Sequence, residues 1–228
     1  MSNTVIDKSE NVGVLSVGVG NSVTIEKDPN TPPGESQVFV GTDGIALGLG
    51  STVLVQNYGV LNLQGVLNAN LLGQIDIGDH GTLRLRGEVN ANLLSSIHFV
   101  GHDATTALAI DPTKLTLGGS LNGFGLHDVV RMDHLVATSI DFTPYLLGGG
   151  GTVNFFDGST EVAQLGFTGN YTAANFAIAS YSFPSGDSGT ALHFVPTGDA
   201  VSSGGSAAAL RAPTEEHFAM AGVGAHGW

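Results

Sequence analysis

A near-duplication with a period of about 22 residues is the feature that most constrains this chain. The segment 57–78 reads NYGVLNLQGVLNANLLGQIDIG, and the segment 79–100 reads DHGTLRLRGEVNANLLSSIHFV. A fixed period of this size is typical of stacked repeats, because a coil that short cannot bury its apolar face alone. The chain is therefore expected to pile short coils on one another.

Each copy contains two short stretches in which apolar and polar residues alternate. The first pair is Leu61–Leu63 and Leu83–Leu85, and the second is Ile75–Ile77 and Ile97–Phe99. Alternation with a period of two indicates strands with one buried face. The fold class predicted is all-β, a short parallel β-solenoid with about 22 residues per rung that continues into a β-rich C-terminal region. An antiparallel meander is the alternative, although it has no need to keep Asn-Ala-Asn-Leu-Leu at a fixed offset.

The repeated Asn-Ala-Asn-Leu-Leu block predicts ladders of identical side chains between rungs. Asparagines stacked at about 4.8 Å can satisfy one another's hydrogen bonds. The structural ladder predicted pairs the following residues of the two copies: Asn68 with Asn90, Asn70 with Asn92, and Leu71 with Leu93.

The repeat and the local composition divide the chain into four parts. Residues 1–35 are predicted to be an N-terminal cap or arm, 36–120 the rungs, 121–196 a β-rich C-terminal module, and 197–228 a flexible tail and possible export signal. A degenerate rung at Val38–Val40 is placed one period before Leu61–Leu63 with a one-residue insertion, and Leu108–Ile110 belongs to the last rung.

Composition excludes several classes of protein. The 34 glycines predict many tight turns, and seven basic against twenty acidic residues give a net charge of −13. Such a surface repels nucleic acid and anionic membranes. Cysteine is absent, which rules out disulfides and thiolate metal sites. The N-terminus does not read as a Sec signal peptide, and no stretch has the length needed to span a bilayer, so no membrane insertion is expected.

The region after the rungs resembles a known kind of module. GFGLHDVVRMDHL, then TVNFFDGSTEVAQLGFTGNYTAANFAIAS, then SGDSGTALHF follow the order of a C-terminal β-rich module found in large repetitive surface and secreted proteins of Gram-negative bacteria. The resemblance covers Asn122–Val195 and implies a secreted or cell-surface protein that leaves the cell by type I secretion. Two departures are His127, where the family usually has glycine, and the missing double glycine at 185–190. The calcium-binding nonapeptide of many such proteins is absent too.

Charged side chains on the rungs fit a solvated surface better than a catalytic one. Arg84 and Arg86 share one side of their strand, and Asp76 and His98 are one period apart. Acid–base attack on a sugar needs two carboxylates, or a base beside a cation, within reach of one ring, and each rung offers one charge. No catalytic residue and no cofactor is therefore predicted.

Metal binding is the other candidate chemistry. The His/Asp neighbours at 102–103, 127–128 and 133–134 lack the spacing of a helical zinc site. Carboxylate-rich loops can bind calcium weakly, and the candidate ligands are Asp157, Asp187 and Asp199.

These observations predict a non-enzymatic extracellular structural protein that self-assembles end to end into a filament or a surface and biofilm matrix, because the open ends of a solenoid expose unpaired strands. Its partners would be further copies of itself and, as an option, cell-surface polysaccharide. Two alternatives stay open. The first is an adhesin-like module that binds glycans or a surface, with Tyr145, Tyr171 and Tyr181 as candidate sugar-stacking residues. The second is a β-helix polysaccharide lyase or hydrolase.

Overall fold

The computed structural model describes residues 2–28, 30, 37–41, 45–64, 73–86, 97–111, 119–182 and 188–197. Within these ranges the chain is nearly all β and forms a parallel β-solenoid of about four turns with about 22 residues per turn, which confirms the predicted fold class. The one short helical segment in these ranges is a 3-10 turn at Ala173–Asn175.

Two large sheets and one small sheet make up the described fold. Sheet A contains, in spatial order, β1 (Asn3–Ile6), β4 (Ser22–Ile25), β7 (Thr52–Val55), β9 (Gln74–Ile77), β11 (Ile97–Phe99), β13 (Ser120–Asn122), β17 (Thr160–Thr168), β16 (Gly150–Asp157) and β15 (Ser139–Pro144). Sheet B contains β18 (Phe176–Ser182), β19 (Ser188–Phe194), β14 (Asp128–Asp133), β12 (Thr106–Ile110), β10 (Thr82–Leu85), β8 (Gly59–Leu63), β5 (Gln37–Gly41) and β2 (Glu10–Val12). Sheet C pairs β3 (Leu15–Val17) with β6 (Ile45–Leu47).

The sequence repeat appears in the structure as strand register. Leu83 lies beside Leu61, and Ile97 lies beside Ile75, in parallel pairs. These side chains are fully buried in a core that runs along the inside of the solenoid. Parallel stacking in register therefore places each apolar residue beside the equivalent residue of the neighbouring rung. Burial of these columns of apolar side chains is the main contribution to the stability of the fold.

The register of the earlier rung differs from the sequence prediction. Phe39 pairs with Leu61 and Val40 with Asn62, so the offset equals the period of the two clear copies and the predicted one-residue insertion is wrong. The pattern alone does not fix which residues of Val38–Val40 face the core, because three consecutive apolar residues fit either face of a strand.

Glycines at the corner between sheets A and B allow the rungs to approach one another. A Cβ on Gly59 would clash with the carbonyl oxygen of Ile25, and a Cβ on Gly81 would clash with that of Val55. No side chain fits at either position. This close contact between rungs explains why glycine recurs at the same place in both copies.

The segment predicted as an N-terminal cap or arm contributes the first strands of the solenoid. β1 pairs with β4, β2 with β5 and β3 with β6, and all three pairs are parallel. Parallel pairing also continues past residue 120, since β13 pairs with β17 and β14 with β12. The sheets therefore run through both predicted boundaries.

Antiparallel strands complete the C-terminal end. β15, β16 and β17 extend sheet A, and β18 and β19 extend sheet B. A tight turn after Asp157 joins β16 to β17, and Gly158 in this turn has a φ of +61°. Thr172 is the N-cap of the 3-10 turn at Ala173–Asn175, and its N–H donates to the Oδ1 of Asn175 at 2.8 Å.

An aromatic cluster joins this antiparallel end to the rungs. The ring of Phe124 packs against Phe99 of the solenoid and against Phe167, Phe176 and Phe194 of the closing strands, with centroids 5.1–6.2 Å apart in the pairs within the group. Edge and tilted ring contacts at such distances add to the apolar burial. The closing strands are thus fixed to the end of the solenoid core.

Candidate functional site

The outer face of sheet B carries a group of mostly charged and polar side chains, which we call the arginine face: Asn62, Arg84, Arg86, Ala109, Arg131 and Asp133. They alternate with buried core residues such as Leu83 and Met132, so they lie on the opposite side of the sheet. Ladder pairing places Arg84 between Asn62 and Ala109, and Ala109 beside Arg131. Four neighbouring strands therefore bring these residues to one place.

One edge of the arginine face holds a buried carboxylate. An Arg86 guanidinium nitrogen lies 3.9 Å from Asp133 Oδ2, and the hydroxyl of Tyr181 donates to Asp133 Oδ1 at 2.5 Å. Burial, and then the hydrogen bond to Asp133, raises the pKa of Tyr181, so it remains a hydrogen-bond donor. Asp133 is only 5% exposed, and these two contacts compensate its charge.

The centre of the arginine face is electropositive. Burial lowers the pKa of Arg84, and the charges of Arg86 and Arg131 lower it further, outweighing the opposite effect of Asp133. Burial and Arg131 likewise lower the pKa of His193 on the adjoining strand. Three of the seven basic residues of this acidic chain therefore act on one another here.

Asn62 adds an unsatisfied acceptor beside Arg84. Its side chain is buried on the fully covered strand β8, and its Oδ1 accepts no hydrogen bond. A buried polar atom without a partner is costly and needs an explanation. A ligand hydroxyl can supply the missing donor.

A second cluster surrounds Asp128 at the corner between sheets A and B. Its Oδ2 accepts a hydrogen bond from the Gly125 N–H at 2.7 Å and lies 3.3 Å from His102 Nδ1, while its Oδ1 has no partner. Burial, with a smaller contribution from Asp79, raises the pKa of Asp128 to about 8. Burial therefore favours the protonated form of this carboxyl at neutral pH.

Two further side-chain contacts follow the repeat. Asp76 and His98 lie on neighbouring strands of sheet A, with Asp76 Oδ1 3.6 Å from His98 Nδ1. Burial raises the pKa of Asp76. Tyr58 stacks on His80, one period later, with ring centroids 4.2 Å apart. The second contact is an aromatic counterpart of the side-chain ladder that the repeat predicts.

The ends of the two large sheets are the remaining candidate site. Among the described residues, the outer strands at the N-terminal end are β1 in sheet A and β2 in sheet B, and at the C-terminal end they are β15 and β18. Val5 of β1 is 50% exposed, and Leu146 and Leu147 at the tip of the β15–β16 hairpin are fully exposed. Within this part of the chain, each end therefore has outer strands with no further strand beside them, together with exposed apolar side chains.

Most of the predicted calcium ligands and ladder residues fall outside the described part of the chain. Asp157 is exposed at the end of β16, whereas Asp187, Asp199 and all six ladder residues at 68, 70, 71, 90, 92 and 93 lie outside the described residues. In the described part of the chain, no three His, Asp or Glu residues could hold one metal ion together. The calcium site and the amide ladder stay predictions.

Sequence analysis identifies Arg84 and Arg86, but it misses Arg131 and assigns other roles to Asp133, as a neighbour of His134, and to Tyr181, as a sugar-stacking residue. Arg131 pairs with Ala109 at the period of the repeat, so this pairing could be read from the sequence. The step from Arg84 to Ala109 is longer than one period, and for this reason the repeat does not connect Arg131 with Arg84. Tyr181 lies beside the arginine face because β18 pairs with β19 and β19 pairs with β14, both antiparallel. The repeat in the sequence does not predict either pairing.

The His/Asp neighbours in sequence also proved a poor guide to contacts in space. His102 contacts Asp128, which lies on the next rung, and the two residues come together through the stacking of the rungs.

No protein-family model matches the chain, and no curated protein or solved structure does. The part of the chain that the structure describes contains no helix long and apolar enough to cross a bilayer. The resemblance to modules of exported surface proteins stays a prediction.

Proposed function

We propose that this chain is a non-enzymatic, extracellular structural protein that self-assembles end to end into a filament or a surface and biofilm matrix. The observation that carries the proposal is that the two open ends of sheet B match in direction and in register. Extracellular localisation rests on the resemblance to exported surface proteins. Assembly is supported by the direction and the register of the outer strands.

The direction of the outer strands suits head-to-tail stacking. β19 is antiparallel to β14, and β18 is antiparallel to β19, so β18 runs parallel to β14 and to β2. Two reversals in sheet A likewise leave β15 parallel to β1. A second copy stacked on the first would therefore continue both sheets with parallel pairs, and repetition of this heterologous contact gives an open filament.

The register of sheet B suits the same contact. The strand pairings place Ile178 of β18 in the same column across sheet B as Leu83, Leu61 and Glu10 of β2. In sheet A only the end of β15 falls over β1, and Pro144 there lacks an N–H donor. Sheet B is therefore the sheet that would carry the pairing between copies.

Glu10 opposes this contact at neutral pH. It is exposed, yet it occupies the column that Leu61 and Leu83 fill in the inner rungs. In a stacked pair its carboxylate would face Ile178 of the neighbouring copy. Inward-pointing charges on an outer strand are a common means of preventing edge-to-edge pairing. Assembly is therefore expected to strengthen when this charge is removed.

The test is association of the Glu10→Gln variant at neutral pH. We expect it to associate at a protein concentration about tenfold lower than the wild type, as a desolvated charge opposite an apolar residue costs roughly 1–3 kcal/mol. Analytical ultracentrifugation measures the association, and electron microscopy shows whether the product is a filament. Glu161→Gln is the matched control, because Glu161 is an exposed residue on β17 and loses the same charge.

A second substitution at the opposite end completes the test. Ser180 is exposed on β18 at the position of Leu85, so Ser180→Asp places a new charge in the column next to that of Glu10, on the same face of sheet B. The double variant Glu10→Gln/Ser180→Asp should return to the monomer. Persistent monomers of Glu10→Gln at every concentration, or unchanged association in the double variant, would contradict end-to-end assembly through sheet B.

A further inference from the structure

We propose that the arginine face binds the uronic-acid sugars of an acidic polysaccharide, with a sugar carboxylate held between Arg84 and Arg131 over Ala109. This inference does not depend on assembly, since every residue involved belongs to one copy. It assigns a ligand class to a surface that the end-to-end contact does not use.

The charge of the arginine face selects an anion. Arg84 and Arg131 lie two strands apart, with the short side chain of Ala109 between them. Their Cα atoms are thus about 10 Å apart, a span that two guanidinium groups can close around one carboxylate. The remainder of the chain is strongly acidic, with a net charge of −13 for the whole, so an anionic polymer is attracted here and repelled elsewhere.

The neighbouring polar groups select a sugar among anions. Asn62 lies beside Arg84 on the next strand, and its buried Oδ1 requires a hydrogen-bond donor. A uronic acid carries a carboxylate, which accepts from arginine, and hydroxyl groups, which donate to an amide oxygen. In an acidic peptide the carboxylate is on the side chain and the donors are backbone N–H groups, whereas a uronic acid carries its hydroxyls on the same ring as its carboxylate. The combination of two cationic donors and one acceptor therefore fits a uronic acid better than an acidic peptide.

Arg86 and Asp133 limit the size of the site. Their ion pair, supported by the Tyr181 hydroxyl, closes the arginine face on one side. Small or apolar residues continue on the other side, where Ala107 and Val129 are both buried. A single sugar ring can place its carboxylate and one hydroxyl over this area, whereas the surface of a folded protein cannot reach the 7% exposed Ala109.

Binding of polygalacturonate to the monomeric full chain tests the proposal. We expect binding by isothermal titration calorimetry at low salt, weakened at least about tenfold in Arg84→Gln/Arg131→Gln, because two charge-assisted hydrogen-bonding groups are lost. Lys27→Gln is the matched control, since it removes a positive charge outside the arginine face, and it should bind as the wild type does. Circular dichroism verifies that each variant is folded.

Two comparisons separate a sugar from any other polyanion. Polyglutamate should bind at least about tenfold more weakly than polygalacturonate, and Asn62→Leu should remove this preference while retaining attraction to both polymers. Equal binding of the two polymers by the wild type would overturn the assignment of a sugar. Unchanged binding in the double arginine variant, or no binding of polygalacturonate by the wild type, would overturn the site itself.

Discussion

Buried carboxyl groups give this fold an unusual dependence on pH at the scale of single residues. Asp128 is almost fully buried, and its pKa is raised to about 8 from a usual value of 3.8. Burial raises the pKa of Asp76 as well. Both shifts favour the protonated, uncharged form, which is the reverse of the usual effect of ion pairs on acidic residues.

The wild type should lose stability as the pH rises, because Asp128 must ionise while buried. The Asp128→Asn variant should not show this loss. In the wild type, the unfolded chain releases this proton near pH 4 and the folded chain near pH 8, so stability present below pH 4 is lost progressively between pH 4 and 8. Asp128→Asn should be more stable than the wild type at pH 9, by a few kcal/mol or less, and nearly equal to it at pH 4.

Urea unfolding followed by circular dichroism across pH 4–9 measures this difference. Asp141→Asn serves as the control, because Asp141 is exposed on β15. An Asp128→Asn profile parallel to that of the wild type over the whole range would show that Asp128 is ionised in the folded protein, contrary to the raised pKa.

At the scale of elements, the antiparallel closing strands depend on the aromatic cluster around Phe124. This ring lies in the loop between β13 and β14 and is 2% exposed. It contacts Phe99 on the solenoid side and three rings on the closing side. Its removal would leave a cavity between the rungs and the closing strands.

Phe124→Ala should destabilise the protein by about 3–5 kcal/mol, since the change loses apolar burial and creates a cavity. The midpoint of urea unfolding measures the loss. Hydrogen exchange should accelerate more in β18 and β19 than in β10, because the cavity lies under the closing strands. Leu126→Ala is the control, as Leu126 is in the same loop but 46% exposed, and an equal loss from both substitutions would argue against the role of the cluster.

At the scale of the whole molecule, net charge governs association between copies. A chain with a charge of −13 repels its own copies at neutral pH, and the repulsion decreases as the pH approaches the isoelectric point of about 4.7. Salt screens the same repulsion, with a Debye length of about 8 Å at physiological ionic strength. The open ends therefore pair at lower protein concentration when this repulsion is reduced.

Light scattering of the wild type should accordingly increase between pH 7 and pH 5, and at pH 7 on addition of about 0.5 M sodium chloride. Specific assembly is separated from precipitation by Ser180→Asp, which should suppress the increase. A scattering increase of equal size in Ser180→Asp would show that the particles form without the outer strand β18.

The sequence by itself determined the all-β solenoid, its period and most of its strands, because a repeated column of apolar residues such as Leu61 and Leu83 has one low-energy arrangement, in which equivalent positions stack and bury one another. It also determined the turn at Gly158 and the cap at Thr172, since these depend on neighbouring residues alone.

Tertiary structure alone decided which distant residues meet. The strands of residues 3–25 joined the sheets although their pattern is weak, because pairing with β5 and its neighbours outweighs local sequence preference. Arg131, Asp133 and Tyr181 came together with Arg84 and Arg86 through parallel and antiparallel pairs that have no shared spacing. A period in the sequence records contacts between equivalent positions, whereas the antiparallel pairing of β19 with β14, and of β18 with β19, is fixed only when the aromatic core packs.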